Sequence, residues 1–171
     1  MIDPVDGVDP FGIVTSEDLI TPGKKLNFST PALIMDNGLD PKGVRAFKSV
    51  ACAPIALGSP RWYNAWSGPI WHVNATAYGH VDCLDDALIS VAGLICPSNS
   101  KTDKSLYREH LASTAALFID GVLNRKAANF PLLEDPSRFS VDVILEHDRK
   151  GLKDIDAGCT NVPREFQQVI V

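Results

Sequence analysis

"WHVNATAYGHVDCLDD", residues 71–86, is where the chain commits to a fold. Trp71, Val73, Ala75, Ala77, Gly79 and Val81 are apolar or small, and His72, Asn74, Thr76, Tyr78 and His80 alternate with them. A period of two marks a half-buried strand, so Pro69 to Val81 is predicted as one strand with a polar face. The pattern then changes. Asp82 is placed to cap a helix whose acidic first turn, Asp85 and Asp86, suits the positive end of the helix dipole. Leu84, Leu88, Val91 and Ile95 follow as a single apolar stripe, and Pro97 ends it.

Downstream, Ser100-Lys-Thr-Asp103 has the pattern of a capping box and opens a second helix of about 23 residues. Its core stripe is Tyr107, Leu111, Ala115, Phe118 and Val122, and Arg125-Lys126 fall in its last turn, where the dipole favours cations. Phe139 to Leu145 alternates again and reads as a strand, as does Phe166 to Val171. Upstream, Lys48 to Leu57 reads as a strand with Pro54 inside it, which places it at a sheet edge or a bulge. Residues 1–47 are broken by Asp-Pro and Thr-Pro pairs that push the chain toward extended geometry. Within them Phe11–Val14 and Ala32–Met35 are short strand candidates, with turns at Pro22-Gly23 and Asn37-Gly38. A segment of this composition needs the domain or a neighbouring chain to hold it.

Helices grouped among strands indicate an α+β class: a mostly antiparallel sheet packed against two central helices, with an extended irregular N-terminal arm. Residues 1–47 form the arm and 48–171 a single α+β domain. The 171 residues, 45% hydrophobic and 22% charged, suffice for a core without metal or disulfide support. A net charge of −5 argues against a nucleic-acid surface. No apolar run approaches the ~18 residues of a membrane span. The acidic, proline-broken start, MIDPVDGVDP, is unlike a signal peptide and predicts cytoplasmic synthesis. Cys52, Cys83, Cys96 and Cys159 show no metal-ribbon spacing and are expected as reduced, mostly buried thiols.

Two chemistries deserve testing in the opening stretch. In a regular strand His72 and His80 stand about 26 Å apart, too far to share a metal. His80 and Asp82 lie closer, but a third ligand such as His110 or His147 would have to come from elsewhere, and no metal or cofactor is expected. Cys83, at the first position of the predicted helix, would feel the dipole, which lowers a thiol pKa. With His80 as base it would form a nucleophilic pair, Tyr78 standing nearby, although Asp82, Asp85 and Asp86 oppose its ionisation. No G-x-S-x-G elbow, phosphate-binding glycine loop or H-E-x-x-H is present. Asp154-Ile-Asp156-Ala-Gly158 fails as a calcium loop because its glycine falls one residue early.

The side chains of Trp62, Tyr63, Trp66, His72, Asn74 and Tyr78 combine contact area with hydrogen-bonding tips and suit an interface. The expectation is therefore a non-enzymatic assembly subunit, a homo-oligomer or part of a larger protein complex. Its make-up is similar to that of small phage neck or tail-completion proteins, an architectural analogy that would end in a virion. The alternative is a small cysteine-dependent hydrolase or transferase using Cys83 and His80.

Overall fold

The computed structural model of the protein describes residues 1–2, 4–6, 19–21, 23–41, 52–55, 57–94 and 96–146. Its centre is a mixed three-stranded sheet in the order β1 (Ala32–Asn37), β2 (Ile70–Ala75), β3 (Val143–Leu145). β1 and β2 run parallel, with Ile34 opposite His72 and Asp36 opposite Asn74. β3 pairs antiparallel with β2, placing Asn74 opposite Ile144. Among the described residues the class is α+β, but the sheet is mixed where a mostly antiparallel one was expected. The reason is the crossover between β1 and β2, which returns the chain in the same direction through α1 (Ser59–Ala65).

β1 belongs to the proline-rich first segment, and further contacts tie that segment to the same body. The Met1 ammonium donates to the Leu33 carbonyl at 2.6 Å, and Ile2 bridges to Met35. Asp6, fully buried, pairs with Arg61 at 3.0 Å and accepts from the backbone of Leu19 and Ile20. The expected turn at Pro22-Gly23 appears at Gly23, whose φ of 77° is the left-handed region glycine tolerates.

The odd residues of the sheet build the core. Leu33, Met35, Trp71, Val73 and Ala75 pack with Tyr107 and Leu111 of α3 (Lys104–Leu123) and with Phe130 and Leu133 from the 3₁₀ segment Ala127–Glu134. Trp71 stacks on Phe130 at 4.8 Å between centroids, and Phe118 meets it edge-on at 5.9 Å. The apolar stripe expected on the second helix is this contact: Tyr107 and Leu111 are buried, and Ala115, Phe118 and Val122 pack against them. Phe139, Val141, Val143 and Leu145 also share the core side, although only the last three residues of that stretch form the strand.

Several boundaries move. β2 stops at Ala75, and the chain turns into a 3₁₀ turn, His80–Cys83, before α2 (Asp86–Ala92) begins. Asp85, not Asp82, holds the N-cap position of α2. Leu88 and Val91 of the expected stripe are exposed among the described residues. α3 starts at the cap Asp103, whose carboxylate accepts from the backbone of Ser105 at 2.8 Å and Leu106 at 3.2 Å, three residues after the expected Ser100. It ends before Arg125, which adopts φ 53°, so the basic pair lies past the helix. Cys52 and Cys96 form a disulfide, correcting the expectation of reduced thiols for those two; Cys83 takes no part in that bond. Residues 52–55 make bends and turns where a strand was expected. The strand candidates Phe11–Val14 and Phe166–Val171, with His147, Asp154–Gly158 and Cys159, lie outside the described residues.

Candidate active site

In a parallel pair, loops leaving the carboxyl ends of the strands converge, which makes that edge the usual place for a site. Here the loop after β1 zips onto the loop after β2. Gly38 donates to the Ala75 carbonyl at 3.1 Å, and Leu39 to the Tyr78 carbonyl at 3.0 Å. A Cβ on Gly38 would stand 2.5 Å from the Thr76 carbonyl oxygen, so this approach requires glycine. The zipper delivers Asp40, fully buried, to the start of the His80 turn, where its Oδ1 accepts from the His80 backbone N–H.

A second buried carboxylate fixes the same turn from inside. Asp82 Oδ2 accepts from the Gly79 N–H at 2.9 Å and pairs with Lys104 Nζ at 2.9 Å, while Oδ1 accepts from the Ser98 hydroxyl. Lys104 in turn lies over the Tyr78 ring, 5.4 Å from its centroid. Gly79 admits no side chain, because a Cβ would fall 1.9 Å from the Pro97 carbonyl oxygen. Pro97 is held next to the Cys52–Cys96 disulfide. Glycine, two buried aspartates and a crosslink thus set the backbone of a half-buried histidine at the carboxyl end of β2. Pre-set geometry of this kind is what a proton-transfer group needs.

The other residues singled out in the sequence are placed as follows. Cys83 closes the 3₁₀ turn and does not begin an α-helix, so the dipole argument for its ionisation does not apply. Its thiol donates to the His80 carbonyl at 3.4 Å, and its side chain packs against the core. Tyr78 is a core residue: it stacks on Tyr107 at 4.3 Å and its hydroxyl donates to the Asp103 carbonyl at 3.1 Å. Burial, helped by the charges of Asp103, Asp82 and Asp142, holds its pKa above the ordinary tyrosine value. Trp62 and Tyr63 lie half-buried on α1, and Trp66 packs on Phe28 at 5.0 Å while donating to the Thr30 carbonyl at 2.9 Å. His72 is 2% exposed and Asn74 half-buried, so the polar face of β2 is covered within the chain. His110, also a suggested ligand, sits inside α3 against Phe139 and Thr114, and burial pulls its pKa down to about 4. Asp40, Ser98 and Lys104 carry no signal in sequence that links them to this turn; the parallel pairing of β1 and β2 brings Asp40 to His80, and the chain after α2 brings Ser98 and Lys104 to Asp82.

The chlorophyllase family model matches residues 1–148, a span that includes the whole of this arrangement. The chain belongs to the chlorophyllase family. It is 30% identical over 142 residues to Chlorophyllase-1 of Arabidopsis thaliana, which covers 80% of this chain and 43% of that protein. Chlorophyllase-2 of the same plant is 32% identical over 100 residues, 54% of this chain and 29% of that protein. The chain therefore spans less than half the length of the curated relatives it matches. Membership of this family overturns the expectation of a non-enzymatic structural or assembly subunit of virion or phage-tail type and points instead to a hydrolase. The composition misled because an acidic, motif-poor α+β chain is compatible with either role. No described helix is long and apolar enough to cross a membrane.

Proposed function

We propose that the protein is a hydrolase acting on chlorophyll or a similar ester-bearing chlorin, with His80 as its proton-transfer group. The observation that carries this reading is the placement of His80 at the carboxyl end of β2 by Asp40 and Asp82, both fully buried. In ester hydrolysis the acyl carbon gains an oxygen from water and the departing alcohol gains a proton. A histidine can take the proton from the attacking hydroxyl and return it to the leaving oxygen. The side chain beyond this turn suits an apolar substrate: Leu88, Val91 and Leu94 are exposed at 55%, 66% and 59% and repeat every three residues along α2 and its end.

Cys83 is a positioning residue in this reading, since its thiol is committed to the carbonyl of His80 on the same tight turn. The test is release of the alcohol from chlorophyll by the purified chain and its variants. His80→Ala is expected to slow the reaction by roughly 10²–10⁴-fold with the unfolding transition unchanged. Cys83→Ser should keep most of the rate. Absence of hydrolysis by the unmodified chain, or an undiminished rate in His80→Ala, would sink the assignment. Collapse of the rate in Cys83→Ser alone would restore the cysteine nucleophile.

A further inference from the structure

The even residues of the sheet, on the side away from the aromatic core, gather a second group of chemistry-bearing side chains. Asp36 comes from β1, His72 from β2, and Glu146 directly follows β3. His72 Nε2 lies 3.2 Å from Asp36 Oδ2 and 3.5 Å from Glu146 Oε2, and one ligand atom from each of the three falls within 4.8 Å of the others. Glu146 is steered into place twice, by Asn74 Nδ2 donating to its Oε1 at 2.8 Å and by its own N–H donating to the His72 carbonyl at 2.9 Å.

These separations have a simple meaning for a tetrahedral ion. Zinc bonds nitrogen and carboxylate oxygen at about 2.0–2.2 Å, so neighbouring ligand atoms on the tetrahedron stand roughly 3.3–3.5 Å apart. The two edges that meet at His72, 3.2 and 3.5 Å, lie close to that range.

An independent feature adjoins the cluster. A cavity of about 170 Å³ is lined by Asp36, Asn74 and Glu146 together with Ser59. Ser59 Oγ and Asn74 Oδ1 are buried with no hydrogen-bond partner among the described residues. Ser59 is 1% exposed. Two orphaned polar atoms among the residues that line one small cavity call for water or a ligand there. The cavity adjoins the cluster through Asp36 and Glu146, which line both.

We propose that Asp36, His72 and Glu146 form a binding site for a divalent transition cation of the zinc type, with a water from the Ser59–Asn74 cavity as fourth ligand. The donor set, one imidazole and two carboxylates, suits zinc and excludes the soft sulfur-only ions. Its ligands come from β1, from β2 and from the residue that directly follows β3, so the ion ties the ends of the outer strands to β2. The site shares no ligand with the His80 turn, and its test does not depend on hydrolysis.

The tag-free full chain, stripped with chelator, should bind one zinc ion with a Kd below about 10 μM and gain about 5–10 °C in Tm at zinc near 100 times Kd. Asp36→Asn and Glu146→Gln keep shape and remove a ligand charge; each should weaken binding at least about tenfold. Glu146 is the more exposed of the pair, so its variant is expected to fold, as circular dichroism would show. X-ray absorption of the unmodified protein should give nitrogen and oxygen neighbours at about 2.0–2.1 Å with no sulfur. A zinc–sulfur distance, unchanged affinity in Glu146→Gln, or no saturable zinc binding would each overturn the site.

Discussion

On one side of β2, Trp71, Val73 and Ala75 enter an aromatic core closed by α3 and Phe130. On the other, His72 and Asn74 meet carboxylates and a cavity. Both sides are covered, but by different physics. The core side is held by contact area and by ring packing, which depend on filling space and leave little room for water. The opposite side and the carboxyl edge are held by named donors and acceptors, where each group has one correct partner and its loss strands the other. The first side should therefore fail through volume, and the second through protons, charge and crosslinks.

Volume gives the largest expected effect. Trp71→Ala removes the ring that bridges Phe130 and Phe118 and leaves a cavity under β2. Denaturant unfolding should show a loss of about 3–5 kcal/mol. A loss under about 1 kcal/mol would mean that the core collapses onto the gap and that the contrast between the two sides is overdrawn.

The Cys52–Cys96 crosslink comes next, on the polar edge. It closes a loop of 44 residues, for which chain entropy gives at most about 4 kcal/mol. Cys96→Ser or reduction should lower the midpoint of denaturation and loosen Pro97 against Gly79, so activity attributed to His80 should fall before global unfolding. Parallel loss of stability and activity would instead show that the turn is fixed by Asp40 and Asp82 alone.

His110 tests whether the core side is as dry as its contacts imply. Its pKa is pulled from 6.5 to about 4 by burial, so the folded state keeps it neutral where the unfolded chain would protonate it. The stability it contributes is present above pH 6.5 and is lost as pH falls from there toward 4, by up to about 3 kcal/mol. Thermal unfolding of the parent and His110→Gln should diverge across that window, the variant showing the flatter profile. Identical profiles would place water at the ring.

The amino-acid pattern made the core side legible and the polar side much less so. Alternation along residues 69–81 identified β2 and its apolar face, and the spacing of Tyr107, Leu111 and Phe118 identified the face of α3 that meets it. Periodicity says that His72 and Asn74 point away from that core; it cannot say what covers them. Their cover comes from β1, from Ser59 and Tyr63 of α1 and from Glu146, which alternation along β2 does not reveal. A parallel partner is equally invisible, since no hairpin turn announces it. That is why Asp40, next to an ordinary turn at Asn37-Gly38, gave no hint of reaching His80. The stripe Leu84, Leu88 and Val91 shows the opposite failure: Leu84 precedes the helix and is half-buried, while Leu88 and Val91 lie on a helix only seven residues long and face outward.

The smallest effect lies where the two regions touch. Tyr78 stacks on Tyr107 within the core, yet its hydroxyl donates to the Asp103 carbonyl at the start of α3. Tyr78→Phe keeps the stack and deletes only that bond. The Asp103 carbonyl also accepts from the Tyr107 N–H at 3.3 Å, so it is not left unsatisfied. The expected loss is therefore about 1 kcal/mol, the net worth of one hydrogen bond, with no change in the packing of α3. A loss of several kcal/mol would show that the hydroxyl, and not the ring, ties α3 to the His80 turn, and that the polar edge reaches further into the core than the stacked rings suggest.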